Sequence, residues 1–191
     1  MRPRAATKPP GTPPRALTRS GSAASEATRK KRAEERLEAG DLHREVAYLH
    51  PGQIFTASVP SAVTTILGSC VAIVLWDSAR GVGGLNHYLL PVWARPGDDT
   101  LRFGNVAFER LLEDVTARGA SLKHLQAKVF GGACLLVGAG RGEHLGKKNV
   151  ELARSLLAGK AIPIVAEDVE GRRGRKLIVH TDTGDAWVKL L

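Results

Sequence analysis

Cysteine is scarce in this 191-residue chain, which contains only Cys70 and Cys134. Two thiols so far apart exclude the disulfide scaffold of a small secreted domain and a four-cysteine zinc site. Long apolar runs are missing too. No stretch approaches the ~20 consecutive apolar residues of a membrane-spanning helix. The basic N-terminus has no apolar segment behind it, so the pattern of a secretory signal is absent. These absences predict a cytoplasmic protein without membrane insertion. The length fits one domain of ~100–200 residues with a tail.

What the chain does have is positive charge, formally +9. Its location decides its meaning. Residues 1–45 carry 11 Lys+Arg against 6 Asp+Glu, and the remaining 146 carry 17 against 13. The excess is concentrated at the N-terminal end, which argues against a dedicated nucleic-acid-binding domain. Five of the ten prolines (Pro3, Pro9, Pro10, Pro13 and Pro14) fall there among Ser, Thr, Ala and Gly. Such a segment buries too little apolar surface to fold, and residues 1–45 are expected to be a disordered tail and charged linker. The run Arg29-Lys30-Lys31-Arg32 with the following Ala33 to Glu38 is compatible with a short solvated helix ending near Gly40.

From Val46 onward the text is that of a folded domain, residues 46–191. Ile54 to Val59 reads as a strand. Cys70 to Trp76 is a near-continuous apolar run of strand length, a pattern expected of burial on both faces. Val82 to Leu90 reads as its return strand, ended by Pro91. Asn105 to Val115 carries apolar residues at helical spacing and stops at Gly119, and Lys148 to Leu157 is a second amphipathic helix. Ala127 to Phe130, Ile162 to Glu167, Lys176 to His180 and Ala186 to Leu190 complete the strands. The expected fold is an α/β sandwich of mixed or antiparallel strands packed against two helices.

The chemistry concentrates in Thr64-Thr65-Ile66-Leu67-Gly68-Ser69-Cys70 and Gly83-Gly84-Leu85-Asn86-His87. A small-residue turn ahead of a buried strand leaves the backbone N–H groups around Gly68, Ser69 and Cys70 partly uncommitted. They are candidates for an oxyanion-accepting hollow. Hairpin arithmetic then places the histidine. If Ser78-Ala79 make a two-residue turn, Cys70 lies directly opposite His87, at a Cβ separation of about 4.5–5.5 Å. A four-residue turn leaves them diagonal on the same face at roughly 7–8 Å. A thiol needs a base to become a nucleophile, and an adjacent imidazole supplies one. A third polar group should orient the ring, for which Thr64 and Thr65 are both in reach. The competing reading is that Cys70 is a small core hydrophobe.

These residues resemble a known family. Leu67-Gly68-Ser69-Cys70-Val71 followed by Gly83-Gly84-Leu85-x-His87-x-x-Leu90-Pro91 is similar to the signature of CheD, the chemoreceptor glutamine deamidase of bacterial chemotaxis. The resemblance continues through Ala127 to Ala133, Gly146-Lys147-Lys148-Asn149, Gly171-x-x-Gly174-Arg175 and Thr183-Gly184, covering about residues 50–190. It implies a catalytic trio of Thr64, Cys70 and His87. It implies that Cys70 attacks the carboxamide of a receptor glutamine, that ammonia leaves with a proton from His87, and that water hydrolyses the γ-glutamyl thioester. Thr64 would orient the imidazole or a bound group. Hydrolysis of glutamate methyl esters by the same route is implied as well. The implied enzyme is a protein-glutamine glutaminase without a cofactor. Its implied partners are methyl-accepting chemotaxis receptors and a CheC-type phosphatase, and its implied fold resembles that of Cys–His deamidating bacterial toxins. Asn149 and Arg175 become candidates for substrate contact. Two positions depart from the pattern: Lys148 stands where Arg is frequent, and Cys134 stands where an apolar residue is usual. Cys134 is read as core filler.

The remaining polar residues carry less. His43, His50, His124, His144 and His180 have no metal-ligand spacing. Gly138 to Gly142 lacks the third glycine and the acidic partner of a nucleotide loop. Gly171 to Lys176 reads as a solvated turn or as a contact for acidic receptor helices. Three function classes follow: a receptor glutamine deamidase, a non-catalytic module binding receptors or a CheC-type phosphatase, and a basic-tail nucleic-acid binder.

Overall fold

The computed structural model describes residues 44–92, 100–135 and 144–191. The expected charged helix, His43 and the Gly138–Gly142 stretch lie outside them. The described residues form strands β1 (Glu45–Tyr48), β2 (Ile54–Ala57), β3 (Ser61–Leu67), β4 (Val71–Asp77) and β5 (Val82–Asn86), then helix α1 (Gly104–Ala117) and β6 (Leu125–Gly131). Helix α2 (Leu145–Gly159) and strands β7 (Ile164–Val169), β8 (Arg175–His180) and β9 (Ala186–Leu190) follow. The strands make two mixed sheets, one in the order β1-β3-β8-β9 and the other β2-β5-β4-β6-β7.

The apolar run of β4 explains the layering. Alternate strand residues face opposite sides, and both sides of β4 are covered. Val71, Ile73 and Leu75 pack with Phe108, Leu111 and Val115 of α1 and with Val150, Ala153 and Leu157 of α2. Ala72 and Val74 pack with Val63 and Leu67 of β3 and Leu177 and Val179 of β8. The layers are therefore helices, five-stranded sheet and four-stranded sheet, an α/β sandwich. The buried positions Ala107, Phe108, Leu111 and Val115 recur at three- and four-residue intervals, which places them on one face of α1.

Three expectations need correction. Residues Ser61–Leu67 form a strand that the sequence reading passed over as the approach to a turn, and Glu45–Tyr48 pairs with it in parallel. The strand expected over Val82–Leu90 stops at Asn86 because the N–H groups of Leu89 and Leu90 turn to the carbonyl of Arg102 instead. Finally, the Gly171 to Lys176 stretch, read as a solvated turn, is a crossover: it carries the chain from β7 in one sheet to β8 in the other.

Two glycines permit backbone approaches that a side chain would block. Gly131, at φ 110°, lies where a Cβ would stand 2.2 Å from the Cys70 carbonyl oxygen. At Gly146, in the first turn of α2, a Cβ would stand 2.3 Å from the Gly132 carbonyl oxygen. The Gly131-Gly132 turn and the start of α2 thus press together against the segment that carries Cys70.

Candidate active site

The hairpin between β4 and β5 has the four-residue turn. Asp77 pairs with Val82, and the Asp77 carbonyl accepts from Gly81 N at 2.9 Å. The same register continues to the bridge between Val71 and Tyr88. His87 therefore lies opposite Ala72, one diagonal step from Cys70 on the same face. That face looks into the space between the sheets, where Cys70 packs against the cluster that includes Leu49, Val63 and Leu67. Cys70 is a free, half-buried thiol, whereas the His87 residue is only 1% exposed.

The ring of His87 is fixed from one side. Its Nδ1 lies 2.8 Å from the Thr65 hydroxyl, and that hydroxyl is 2.8 Å from the Leu49 carbonyl. A carbonyl only accepts, so the single Thr65 proton goes to Leu49 and the Thr65 oxygen accepts from Nδ1–H. This assigns the Nδ1–H tautomer and leaves a lone pair on Nε2. Nε2 is buried and has no hydrogen-bond partner among the described residues, including the Cys70 thiol. Burial pulls the His87 pKa down to about 4, partly opposed by the Leu49 carbonyl and helped by His50. Burial likewise pushes the Cys70 thiol up, with its own backbone N–H pulling the other way. At neutral pH the pair is a neutral thiol and a neutral base.

The backbone holds His87 equally firmly. Its N–H donates to Gln53 O at 3.0 Å, and its carbonyl accepts from Gly52 N at 2.7 Å. Asn86 Oδ1 accepts the Ile73 N–H at 2.8 Å, so a side chain completes the β4–β5 ladder where the main chains part. Across the fork, the carbonyls of Gly68 and Cys70 accept from Ala133 N and Gly132 N, each at 2.8 Å. The N–H groups of Gly68, Ser69 and Cys70 donate to no other group among the described residues. The amides of Gly68 and Ser69, and that of Cys70 beside its own thiol, can receive an oxyanion.

Not every candidate reaches this place. Thr64 is half-buried on the other face of β3, opposite Ile178 and Tyr48; strand alternation turns it away from the ring, and Thr65 is the threonine that meets His87. Asn149 is fully buried and donates from Nδ2 to Ser69 O and Leu89 O, each at 2.9 Å. Arg175 is 2% exposed, with its guanidinium bonded to Asp168 and the Glu170 carbonyl. In place of an open substrate contact, it ties down the crossover between the sheets. Cys134 is half-exposed and does not belong to either core cluster. Among the other histidines, His144 caps α2 by accepting from Lys147 N at 3.1 Å, and His180 stacks edgewise on Trp187. Among the described residues, no group of three or more His, Cys, Asp or Glu gathers as metal ligands.

The reading from sequence missed Asn86 as a structural polar group. Its signal was a carboxamide at the end of the Val82 to Leu85 run, a position that burial makes costly without a partner. The role of Thr65 yields a direct expectation. Thr65→Val keeps the shape but removes the acceptor of Nδ1–H and strands the Leu49 carbonyl. Turnover should fall by about 10–100-fold, and Thr65→Ser should restore it to within about threefold; the kcat values of the three proteins check this.

Comparison with known proteins adds an independent line. The family model described as CheD chemotactic sensory transduction matches residues 89–190. That match starts just beyond His87. The matches to individual relatives are longer. The chain is 50% identical over 149 residues to "Probable chemoreceptor glutamine deamidase CheD 1" of Anaeromyxobacter dehalogenans, covering 78% of this chain and 86% of that protein. It is 47% identical over 137 residues to "Probable chemoreceptor glutamine deamidase CheD" of Trichlorobacter lovleyi, covering 72% of this chain and 85% of that one. With the Sulfurimonas denitrificans protein the identity is 40% over 149 residues, covering 78% and 96%.

Proposed function

The chain belongs to the CheD family, and from that premise we propose that it is a chemoreceptor glutamine deamidase in which Cys70 is the nucleophile and His87 the general base and acid. The observation that carries the mechanism is the buried His87 ring, with Nδ1 committed to Thr65 and Nε2 unpartnered on the face it shares with Cys70.

The steps follow from those groups. Cys70 Sγ attacks Cδ of a receptor glutamine as the thiol proton passes to His87 Nε2. The carbonyl π electrons move to oxygen, and the free amides of Gly68, Ser69 and Cys70 receive the resulting oxyanion. The intermediate collapses, the C–N bond breaks, and the departing nitrogen takes the proton from Nε2 and leaves as ammonia. Water then gives a proton to Nε2 and attacks the γ-glutamyl thioester. The second intermediate expels the Cys70 sulfur, which recovers its proton from His87. The sum is one carboxamide and one water converted to one carboxylic acid and one ammonia. A glutamate methyl ester enters the same sequence with methanol as the leaving group.

Thr65 holds the ring through both half-reactions, taking the orienting role that the family resemblance would give to Thr64. The domain starts at Arg44 and not at Val46, because Arg44 bonds Asp182 and Glu45 opens β1.

The test is a turnover assay on peptides from receptor methylation regions. Ammonia release should match a mass gain of about 1 Da per glutamine, the difference between NH2 and OH. Hydroxylamine added during turnover should divert part of the product to the γ-glutamyl hydroxamate, as expected of an activated acyl–enzyme. Ammonia release without hydroxamate would exclude an accumulating thioester. Receptor binding with no ammonia release would replace the enzyme with a binding module of the adaptation system.

A further inference from the structure

Beyond Val71 and Tyr88 the β4–β5 ladder does not continue, and the two strands part like a fork. On one side, the amides of Gly68, Ser69 and Cys70 donate to no backbone carbonyl among the described residues. On the other side, Leu89 and Leu90 pair with Arg102, and the Leu90 carbonyl accepts from Gly104 N at 2.8 Å. One side chain spans the opening. The carboxamide of Asn149, from the first turns of α2, places one Nδ2 proton on Ser69 O and the other on Leu89 O. Both partners are carbonyls, so the amide cannot be reversed without losing both bonds. The Tyr88 hydroxyl donates to the Asn149 carbonyl and fixes the same turn from below.

In a trans peptide the C=O and the following N–H point in opposite directions. Holding the Ser69 carbonyl toward α2 therefore aims the Cys70 N–H away from the helices. That is the side of the four-stranded sheet, where the Cys70 side chain and the His87 ring lie. We propose that Asn149 is a positioning residue for the deamidation, aligning the Ser69–Cys70 peptide so that the Cys70 N–H donates to the transition-state oxyanion. The influence of the Cys70 N–H on its own thiol agrees with that direction. The arrangement also has a cost that points to a purpose. Asn149 Oδ1 is buried with no partner among the described residues, an expense that a purely structural filler would avoid. The inference rests on the Cys70 mechanism above and adds a residue that touches neither substrate nor thiol.

The experiment separates alignment from general damage. Asn149→Ala and Asn149→Ser are compared with the unaltered protein in three assays, at a temperature where circular dichroism shows the variants folded. The assays are kcat and KM on a receptor peptide, alkylation of Cys70 by iodoacetamide, and affinity for the same peptide carrying a γ-aldehyde in place of the glutamine carboxamide. Alkylation needs the thiol but no oxyanion donor, whereas the aldehyde forms a hemithioacetal whose oxygen occupies the hollow.

The expected result is a loss of about 100-fold in kcat and in aldehyde affinity, with KM and alkylation within about threefold. A kcat within threefold of the unaltered protein overturns the proposal. So does a loss shared equally by alkylation, which would mean that Cys70 itself had moved. If neither variant folds, the unaltered protein decides: its Cys70 amide proton should shift downfield by about 1 ppm on aldehyde binding as the new hydrogen bond forms, and no shift overturns the proposal. Failure of the unaltered protein to release ammonia would instead bring down the underlying deamidase reading. Normal deamidation with an indifferent Asn149→Ala removes only the alignment.

Discussion

Cys70→Ala is expected to abolish ammonia release from receptor glutamines, lowering kcat/KM by about 10⁴-fold or more. The size follows from what remains. Without sulfur the hollow of free amides still binds a carboxamide, but His87 has only water to activate, and water must attack an amide directly. Binding and oxyanion stabilisation alone keep a small residual rate. Cys70→Ser should be nearly as poor, because a hydroxyl is harder to deprotonate than a thiol and the buried ring is a weak base. The second thiol provides an internal control. Cys134 is half-exposed and lies outside both core clusters, so Cys134→Ala should retain kcat/KM within about twofold. Full activity in Cys70→Ala would end the thiol mechanism. Loss of activity with unchanged peptide binding would place the defect in the chemistry.

The difference between what the sequence revealed and what it concealed is physical. The Cys70 to Trp76 run was legible because an uninterrupted apolar strand is buried on both faces, and β4 does lie between the helices and the second sheet. The Cys70–His87 relation was legible because a hairpin leaves few registers, and both considered registers keep one face. The threonine was harder. Deciding between Thr64 and Thr65 requires knowing that residues 61–67 form a strand and which parity faces inward. Val63 and Leu67 mark the inward parity, and Thr65 is the polar member between them. Ser61–Leu67 escaped notice because Thr64-Thr65 interrupts its apolar residues and Gly68-Ser69 follows at once, and its partners β1 and β8 are short or remote in sequence. Asn149 and Arg175 could be singled out, but their roles could not be read. A buried carboxamide that donates to two backbone carbonyls looks, in sequence, like any polar residue near a helix start. Their partners Ser69, Leu89, Asp168 and Glu170 are chosen by topology rather than by local pattern.

His87→Ala should lower kcat/KM by about 10³-fold at neutral pH, the usual worth of a positioned general acid–base, and it should also change the shape of the pH profile. In the unaltered protein the reactive form has a protonated thiol and a neutral imidazole. Below the His87 pKa of about 4, a proton occupies Nε2, the base is lost and activity falls. On the alkaline side, the thiol ionises only above its ordinary range because burial disfavours the thiolate. Activity then falls as the proton needed by the leaving nitrogen is withdrawn. The profile of kcat/KM should therefore be a broad plateau across neutrality, with about nine-tenths of the rings still neutral at pH 5. A solvated imidazole would instead put the acid limb near ~6.5. The two limbs belong to the coupled pair, so they are read as a profile and not as two isolated titrations. With His87 replaced by alanine the acid limb should disappear, and the residual rate should climb with pH as hydroxide generates thiolate. Iodoacetamide modification of Cys70 in the free protein should climb in the same way, without the neutral plateau of a preformed thiolate–imidazolium pair. An acid limb near ~6.5 in kcat/KM would mean an ordinary, solvated imidazole, and a flat alkylation rate from about pH 5 to 8 would mean that Cys70 and His87 rest as an ion pair. The buried, neutral Nε2 would then be the wrong starting state for the reaction.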